Sequence, residues 1–149
     1  IRRAAVSDRS ELIALRTSLW PDLAADEQSD ELEALWAGEC SGPYPTALFV
    51  ADPGDGTLAG FVEVGMRSHA DGCDPAVPVG YLEGWFVRES WRRQGVGRAL
   101  VEAAEDWARS QGCREMASDT WIDQQLSQQA HAALGYEEVD RCVLFRKSL

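Results

Sequence analysis

The chain has 149 residues, of which 45% are hydrophobic and 26% charged, a composition typical of a folded globular domain. Acidic residues outnumber basic ones by 25 to 14, so the formal net charge is −11; this argues against nucleic acid, whose phosphates require a basic surface. No apolar run is as long as a membrane span, and no signal-peptide pattern opens the sequence. We therefore expect a single cytoplasmic domain over residues 1–149, with no nucleic-acid or membrane partner.

The acidic balance has two readings. An acidic cleft would attract cationic ligands and speed their arrival. Negative charge also simply keeps a protein soluble. Net charge alone favours the second reading, and the position of the acidic residues must decide between them.

The four cysteines are widely spaced at positions 40, 73, 113 and 142, without a Cys-x-x-Cys pair. A domain of this size does not need disulfides, so we expect reduced thiols. No cluster of histidine and cysteine has the spacing of a zinc site, and we predict no metal.

The N-terminal third predicts a short strand and two helices. Residues 1–6 are candidates for the strand. Asp8 and Glu11 form a candidate capping box for a helix that ends near Trp20, since Pro21 follows. The acidic stretch over residues 22–30 then predicts a loop, and a second helix is expected over residues 31–37.

The middle of the chain predicts a β-hairpin followed by alternating strands and helices. Residues 46–51 and 59–67 read as antiparallel strands joined by the turn Asp-Pro-Gly-Asp-Gly. The remaining predicted elements are, in order, a strand over 80–87, a helix ending at Gly112, a strand over 115–120, a helix closed by Gly135, and strands over 136–139 and 142–146. This order predicts an α/β fold with a mixed sheet flanked by helices, in which the central strand–helix–strand unit is parallel.

The most informative segment lies between the strand over 80–87 and the helix that follows it. It reads Trp-Arg-Arg-Gln-Gly-Val-Gly over residues 91–97. Gly95 and Gly97 allow a close turn, and the helix start leaves unpaired N–H groups that point into the loop. With the helix dipole and with Arg92 and Arg93 alongside, this loop predicts an anion site suited to a pyrophosphate.

This strand–loop–helix order resembles the GCN5-related N-acetyltransferase superfamily. Five further segments look like aminoglycoside 6′-N-acetyltransferases of class I: Leu-Trp-Pro at 19–21, Gly-Cys-Asp at 72–74, Leu-Glu-Gly at 82–84, GCREMASDT at 112–120 and HAALGY at 131–136. The resemblance runs from about residue 1 to 147. It implies the superfamily's mixed sheet with a splayed parallel strand pair, acetyl-CoA as cosubstrate, and direct transfer in a ternary complex. It also implies a cationic acceptor attacked at its 6′-amine, bacterial antibiotic resistance, and a homodimer.

The resemblance also implies which residues bind acetyl-CoA. In the superfamily, a bulged strand offers backbone amides to the pantetheine arm and to the thioester carbonyl, and Gly84 fits such a bulge. The implied set is Phe86, Val87, Arg92, Arg93, Gln94, Gly95, Val96, Gly97 and Gln124. Gln124 departs from the pattern, because the superfamily often has an asparagine there.

Glu83 is the predicted general base. It interrupts an apolar strand where Val or Ile is expected, and a buried carboxylate is costly unless it is paired. Aminoglycoside amines are mostly protonated at neutral pH, so a base must remove a proton. The alternative is a structural carboxylate bonded to an arginine or to the backbone. Asp119 ends the next parallel strand and is expected to flank the same gap, either contacting the substrate amine or capping the following helix.

His131 is the candidate acid for the leaving thiolate. It stands where many superfamily members have a tyrosine, and histidine can donate a proton near neutral pH. A packing role for this histidine is the open alternative. The expected walls of the acceptor site are Trp20, Asp71, Asp74 and Trp121, although each also has a structural or solvent-exposed alternative.

The residues themselves leave two other functions open. The same fold and cofactor could serve a polyamine, another small amine or a protein N-terminus, since acidic loops attract those cations as well. The domain could instead bind acyl-CoA without catalysis. The presence of Glu83 and Asp119 speaks against that last reading.

Overall fold

A computed structural model describes residues 1–38 and 43–148, so Cys40 lies outside the described residues. The strands are β1 (Arg2–Arg3), β2 (Ala47–Ala51), β3 (Gly60–Arg67), β4 (Val79–Val87) and β5 (Met116–Ser118). The helices are α1 (Arg9–Leu19), α2 (Ala25–Ala37), α3 (Val96–Ser110) and α4 (Gln125–Leu134). The thiols of Cys73, Cys113 and Cys142 are unpaired.

The five strands form one sheet in chain order, β1-β2-β3-β4-β5. Every neighbouring pair is antiparallel except β4 and β5, which are parallel. The predicted α/β fold with a mixed sheet is therefore confirmed. The parallel pair is short, because Gly80–Leu82 lies opposite Met116–Ser118 while β4 continues to Val87. Beyond Leu82 and Ser118 the two strands no longer pair, and a gap opens between them.

Alternating side chains of the sheet build a core on each face. Phe61 points towards Leu12 of α1 and Leu32 of α2, whereas its neighbour Val62 packs with Leu100 of α3. All five are fully buried or nearly so. Burial of a side chain of this size contributes about 1.5–3 kcal/mol, so these contacts fix the two helical layers against the sheet. We call the face covered by α1 and α2 the α1 face, and the opposite one the α3 face.

The start of α1 differs from the prediction. Asp8 makes no side-chain cap; its carboxylate instead accepts hydrogen bonds from Arg2, at 2.7 and 2.8 Å, and from the Ala5 amide. Glu11 accepts from the Leu58 amide and from Arg88, both at 3.0 Å. The capping-box prediction is wrong, because other cations and amides, near in the chain for Asp8 and distant for Glu11, occupy both carboxylates.

Two other predictions of secondary structure fail for tertiary reasons. The acidic loop before residue 31 is largely helical, since α2 begins at Ala25 and buries Gln28 and Leu32 against α1. The strands expected over 136–139 and 142–146 are absent from the described structure, and the strand expected over 115–120 is shortened to Met116–Ser118. A strand requires a neighbour to pair with, and the apolar pattern of a segment does not specify that neighbour.

Within the described residues, no helix is both long and apolar enough to cross a bilayer. The same part of the chain contains no grouping of three histidine, cysteine or acidic side chains that could ligate a metal ion.

Candidate active site

A β-bulge places Glu83 at the centre of the site. Val64 of β3 lies opposite Leu82, and Glu63 lies opposite Gly84, so Glu83 is the extra residue of β4. The bulge predicted from Gly84 is therefore present. A Cβ at Gly84 would lie 2.4 Å from the Trp20 ring, so only glycine lets the indole approach the strand this closely. The Trp20 ring thus packs against the bulge at Gly84, the residue next to Glu83.

Glu83 is paired with an arginine, as the alternative of a structural carboxylate expects, although the sequence did not identify it as Arg67. The Arg67 guanidinium donates two hydrogen bonds to the carboxylate, Nη2 to Oε2 at 2.6 Å and Nε to Oε1 at 3.2 Å. Burial opposes the charge on Arg67, but its bonds to Glu83 outweigh that effect and raise the pKa of the guanidinium. The Glu83 side chain is 30% exposed, so a cationic ligand can reach it from solvent.

Arg67 also links Glu83 to Asp119. Its guanidinium carbon lies 3.3 Å from the centre of the Tyr81 ring, and the Tyr81 hydroxyl donates to Asp119 Oδ1 at 2.6 Å. Burial, together with this bond, raises the pKa of Tyr81, so the hydroxyl keeps its proton and Asp119 is the acceptor. A chain of side-chain contacts thus runs from Glu83 through Arg67 of β3 and Tyr81 of β4 to Asp119, which follows β5.

A buried ion cluster lies beside this network on the α1 face. Arg16 of α1 is 2% exposed and donates to Glu63 of β3 and Glu31 of α2. Its guanidinium also lies 4.8 Å from the centre of the Trp20 ring. Burial raises the pKa of Glu63 and the Arg16 charge opposes that rise. The cluster ties α1, α2 and β3 together next to the bulge.

The predicted anion loop has the expected form. Gly95 is the N-cap of α3 with φ of 83°, in the left-handed region that favours glycine. The Ala99 amide makes the first hydrogen bond within the helix, to the Gly95 carbonyl at 3.0 Å. The three preceding amides therefore have no partner within the helix. No protein atom lies within 4 Å of the Cβ position of Gly95, which leaves the loop open to a ligand. Arg93, with φ of 61°, also adopts the left-handed conformation.

The other predicted cofactor residues surround this loop. Val96 and Gly97 form the first turn of α3, and Gln94 donates to the Ser90 carbonyl at 2.8 Å. Arg92 Nε donates to the Val87 carbonyl at 2.9 Å, and its guanidinium lies 5.7 Å from the centre of the Phe86 ring. These contacts join the end of β4 to the loop. Gln124 lies apart, as the exposed N-cap residue of α4.

His131 occupies the opposite face of the sheet from Glu83. Its Nδ1 lies 2.8 Å from the Ser127 carbonyl oxygen, and its Nε2 lies 3.0 Å from Ser118 Oγ. The rings of Trp85 and Tyr136 contact the imidazole edge-on, with centroids at 5.7 and 5.6 Å. Both nitrogens therefore have partners within the protein.

The other predicted walls of the acceptor site are Asp71, Asp74 and Trp121. Asp71 lines a cavity of about 200 Å³ together with Arg67, His69, Ala70 and Tyr81. The Asp74 carboxylate accepts from the Ala76 amide at 2.9 Å and so closes its own turn. Trp121 is 71% exposed. A second, wider cleft of about 600 Å³ is lined by Ser18, Phe86, Arg88, Glu89 and Ser90.

Sequence reasoning missed five side chains of this region: Arg16, Glu63, Arg67, Tyr81 and Ser118. One signal was available for Arg16, because it follows Leu12 and Leu15 on the apolar stripe of α1, where a charge needs a partner. A signal was also available for Tyr81, because it lies two residues before Glu83 on the same strand. The partners of Arg67 and Ser118 depend on how the strands pair, so nearby residues in the sequence do not predict them.

Comparison with known proteins gives a consistent result. The Acetyltransferase (GNAT) family model matches residues 11–136. An aminoglycoside N(6′)-acetyltransferase type 1 of Klebsiella aerogenes is 41% identical over 149 residues, which cover 100% of this chain and 96% of the relative. The enzyme of the same name from Stenotrophomonas maltophilia is 42% identical over 149 residues, covering 100% and 93%.

The fold agrees with that of solved structures. The structure of AAC(6′)-Iy with the bisubstrate analogue CoA-S-monomethyl-acetylneamine superimposes with a TM-score of 0.87 at 36% identity, over 99% of this chain and 97% of the other. The aminoglycoside 6′-N-acetyltransferase AAC(6′)-Ih of Acinetobacter baumannii gives a TM-score of 0.86 at 32% identity, over 99% and 96%.

Proposed function

The chain belongs to the GNAT acetyltransferase family, and we propose that it transfers the acetyl group of acetyl-CoA to the 6′-amino group of aminoglycoside antibiotics, which confers resistance to them. The observation that carries the acceptor assignment is the identity of about 41% to aminoglycoside N(6′)-acetyltransferases along the whole chain. The site adds chemical support, because Glu83 and Asp119, linked through Arg67 and Tyr81, are two carboxylates that can bind a polycation.

Acetyl-CoA supplies a thioester carbonyl that an amine can attack. The first amides of α3, with Arg92 and Arg93, suit its phosphates, since an open helix N-terminus binds anions. Past Leu82 the edge of β4 that faces β5 is unpaired in the described structure, and Phe86 and Val87 offer backbone groups there. Gln124 at the start of α4 remains a further proposed contact.

The acceptor amine must lose a proton before it attacks. In our proposal Glu83 accepts that proton, directly or through a water molecule, while Asp119 holds the cationic acceptor in place. Arg67 now occupies the position of a cation against Glu83, so a substrate ammonium would compete for the same carboxylate. Trp20 and Trp121, with Asp71 and Asp74, form the proposed walls of the acceptor site.

We infer that residues 1–149 work as one acetyl-CoA-dependent domain in the bacterial cytoplasm, where acetyl-CoA is available. The unpaired thiols of Cys73, Cys113 and Cys142 agree with a reducing compartment.

We also propose a homodimer. The segment after α4 has no helix or strand in the described structure and exposes large apolar side chains, including 93% of Phe145 and 77% of Leu144. The strand β5 is a short edge of the sheet. A second copy of the chain would cover these side chains and pair with that edge, since exposed apolar patches and open edges mark interaction surfaces.

Sedimentation or light scattering tests the dimer. We expect a mass twice that of one chain, and a shift towards the single-chain mass when Phe145 and Leu144 are both replaced with Ser. The matched control replaces two exposed polar residues of the same segment, Glu137 and Asp140, with Ser. A single-chain mass for the wild-type protein would contradict the proposal.

The release of CoA from acetyl-CoA with a panel of amines tests the function. The panel contains kanamycin, tobramycin, an aminoglycoside with a 6′-hydroxyl, spermidine and a lysine peptide. We expect turnover of the 6′-amino compounds and none of the 6′-hydroxyl compound, because only an amine at that position can be acetylated. Mass spectrometry of the product then locates the acetyl group.

Other outcomes separate the alternatives. Activity on spermidine or the peptide alone would keep the fold and cofactor but overturn the aminoglycoside assignment. Binding of CoA without turnover of any amine would identify a non-catalytic acyl-CoA-binding module.

A further inference from the structure

Arg67, the last residue of β3, makes both of its hydrogen bonds to the proposed base. The two bonds end on the Glu83 carboxylate, and the Arg67 side chain is 45% exposed. Arg16, in contrast, is 2% exposed and is shared by two carboxylates. An ion pair that is open to water is weak, because water solvates both partners when it breaks. Of these two arginines, Arg67 is therefore the one that can leave its partner at low cost.

The place that the Arg67 guanidinium occupies has the features of a cation-binding site. The guanidinium lies 3.3 Å from the centre of the Tyr81 ring, whereas Arg16 and Arg92 lie 4.8 and 5.7 Å from the rings that they approach. The Tyr81 hydroxyl is bonded to Asp119, which fixes the orientation of the ring. An aromatic face next to a carboxylate attracts a cation through both the ring quadrupole and the negative charge.

The carboxylate of this site is also fixed. The Cβ position of Gly65 lies 3.3 Å from Glu83 Oε1, so the carboxylate rests against the backbone of β3. With Arg67 in place, Tyr81 is only 7% exposed. Departure of the guanidinium would therefore uncover the ring face and the carboxylate together, in an arrangement that suits another cation of similar size.

A neighbouring cavity offers Arg67 a second partner. This cavity of about 200 Å³ is lined by Arg67 and Tyr81 and also by Asp71. Among the residues that the structure describes, the Asp71 carboxylate has no hydrogen bond or ion pair. The cavity thus places a carboxylate without a partner beside an arginine that is weakly held.

The loop that carries Asp71 is fixed directly after it. Gly72 has φ of 76°, and a Cβ at this position would lie 2.6 Å from Val139. The Asp74 amide donates to Glu115 Oε2 at 2.8 Å. The backbone next to Asp71 therefore packs on the segment after α4 and on the residue that precedes β5.

We propose that Arg67 is the resident ligand of a cation site formed by Glu83 and the Tyr81 ring, and that it moves to Asp71 when an external cation takes its place. The exchange keeps the charges paired, since Glu83 receives the external cation and Asp71 gains the partner that it lacks. Arg67 thereby determines selectivity, because a cation must compete with an attached guanidinium before it reaches the base. This inference rests on the proposed function, in which the external cation is an aminoglycoside.

Binding of a small guanidinium tests the site without turnover. The probe is ethylguanidinium, titrated by ligand-observed NMR in the absence of acetyl-CoA, and the control ligand is ethylurea, which has a similar shape but no charge. We expect Arg67→Ala to bind ethylguanidinium roughly fivefold more tightly than wild type does, the factor that an exposed ion pair contributes. Ethylurea should show no such gain, and Glu83→Gln added to Arg67→Ala should remove it. Equal binding of ethylguanidinium by wild type and Arg67→Ala would overturn the inference.

A double-mutant cycle tests the movement to Asp71. Asp71→Asn removes the second partner, so we expect it to raise KM for kanamycin by roughly two- to fivefold in wild type and by much less in Arg67→Ala. The matched control is Glu102→Gln, which removes an exposed carboxylate of α3 and should leave KM unchanged. An equal rise in both backgrounds would mean that Asp71 contacts the acceptor directly, and it would overturn the exchange.

The two experiments also separate this inference from the proposed function. Failure of wild type to acetylate any aminoglycoside would overturn the proposed function. The ethylguanidinium titration would still decide whether Arg67 occupies a cation site, because it requires neither acetyl-CoA nor an acceptor.

Discussion

Replacing Glu83 with Gln is expected to lower kcat at saturating aminoglycoside by roughly 10²-fold or more, because an amide cannot act as the base that we propose for the acceptor amine. We expect the Kd for acetyl-CoA to stay the same, since the substitution leaves intact the helix terminus and the edge of β4 that we propose as the donor site. Steady-state kinetics across a range of acceptor concentrations, together with calorimetry for acetyl-CoA, measures both quantities.

Arg67→Met distinguishes catalysis by Glu83 from its role in an ion pair. This variant removes the two hydrogen bonds of the guanidinium but leaves the carboxylate in place. If Glu83 is the base, Arg67→Met loses much less kcat than Glu83→Gln, and KM for the aminoglycoside falls because the competing cation is gone. Equal losses in the two variants would mean that the pair, and not the free carboxylate, supports turnover. Unchanged kcat in Glu83→Gln would remove Glu83 as the base.

Replacing Arg16 with Met lowers the free energy of unfolding by about 3–5 kcal/mol at neutral pH, the usual cost of breaking a buried ion pair from one side. The substitution removes the cation that neutralises Glu63, whose side chain is 15% exposed. It also removes the contact with the Trp20 ring. Urea unfolding followed by tryptophan fluorescence measures the change.

The loss depends on pH with a defined sign. Burial raises the pKa of Glu63 above its ordinary value of 4.5, so the folded state binds more protons than the unfolded state just above that pH. Without the Arg16 charge the pKa of Glu63 in the folded state rises further. The free energy of unfolding of Arg16→Met therefore falls as pH rises from about 4.5. The double variant Arg16→Met, Glu63→Gln should recover part of the loss, because no charge is then left unpaired at that position. A loss that is equal at pH 5 and pH 8 would contradict this account.

The polar groups of the site lie on both faces of one sheet. Glu83 and Asp119, which we propose for the cationic acceptor, lie on the α1 face, and the Ser118–His131 pair lies on the α3 face. The pairing of β4 with β5 ends at Leu82 and Ser118, next to both groups. The bulge in β4 inserts Glu83 as an extra residue opposite β3, next to Gly84 and the Trp20 ring.

Much of this arrangement was determined by the sequence alone. The apolar rhythm after Gly95 defined α3, the Arg-x-x-Gly-x-Gly order defined its anion-binding start, and Glu83 stood out as a carboxylate in an apolar strand. These are local properties, because helix periodicity and the need for glycine at a positive φ depend on residues that are close in the chain.

Tertiary structure alone decided which charges meet. Arg67 reaches Glu83 only because β3 and β4 pair in one register, and Arg16 reaches Glu63 only because α1 packs on that face of the sheet. The same holds for Asp8 and Glu11, whose carboxylates were taken by Arg2 and Arg88 instead of the helix start. Long-range ion pairs and hydrogen bonds form between the partners that the fold brings within about 3 Å, and the sequence near each residue does not identify them. The C-terminal segment follows the same rule, since its apolar pattern fits a strand, but a strand exists only where another edge is available to pair with it.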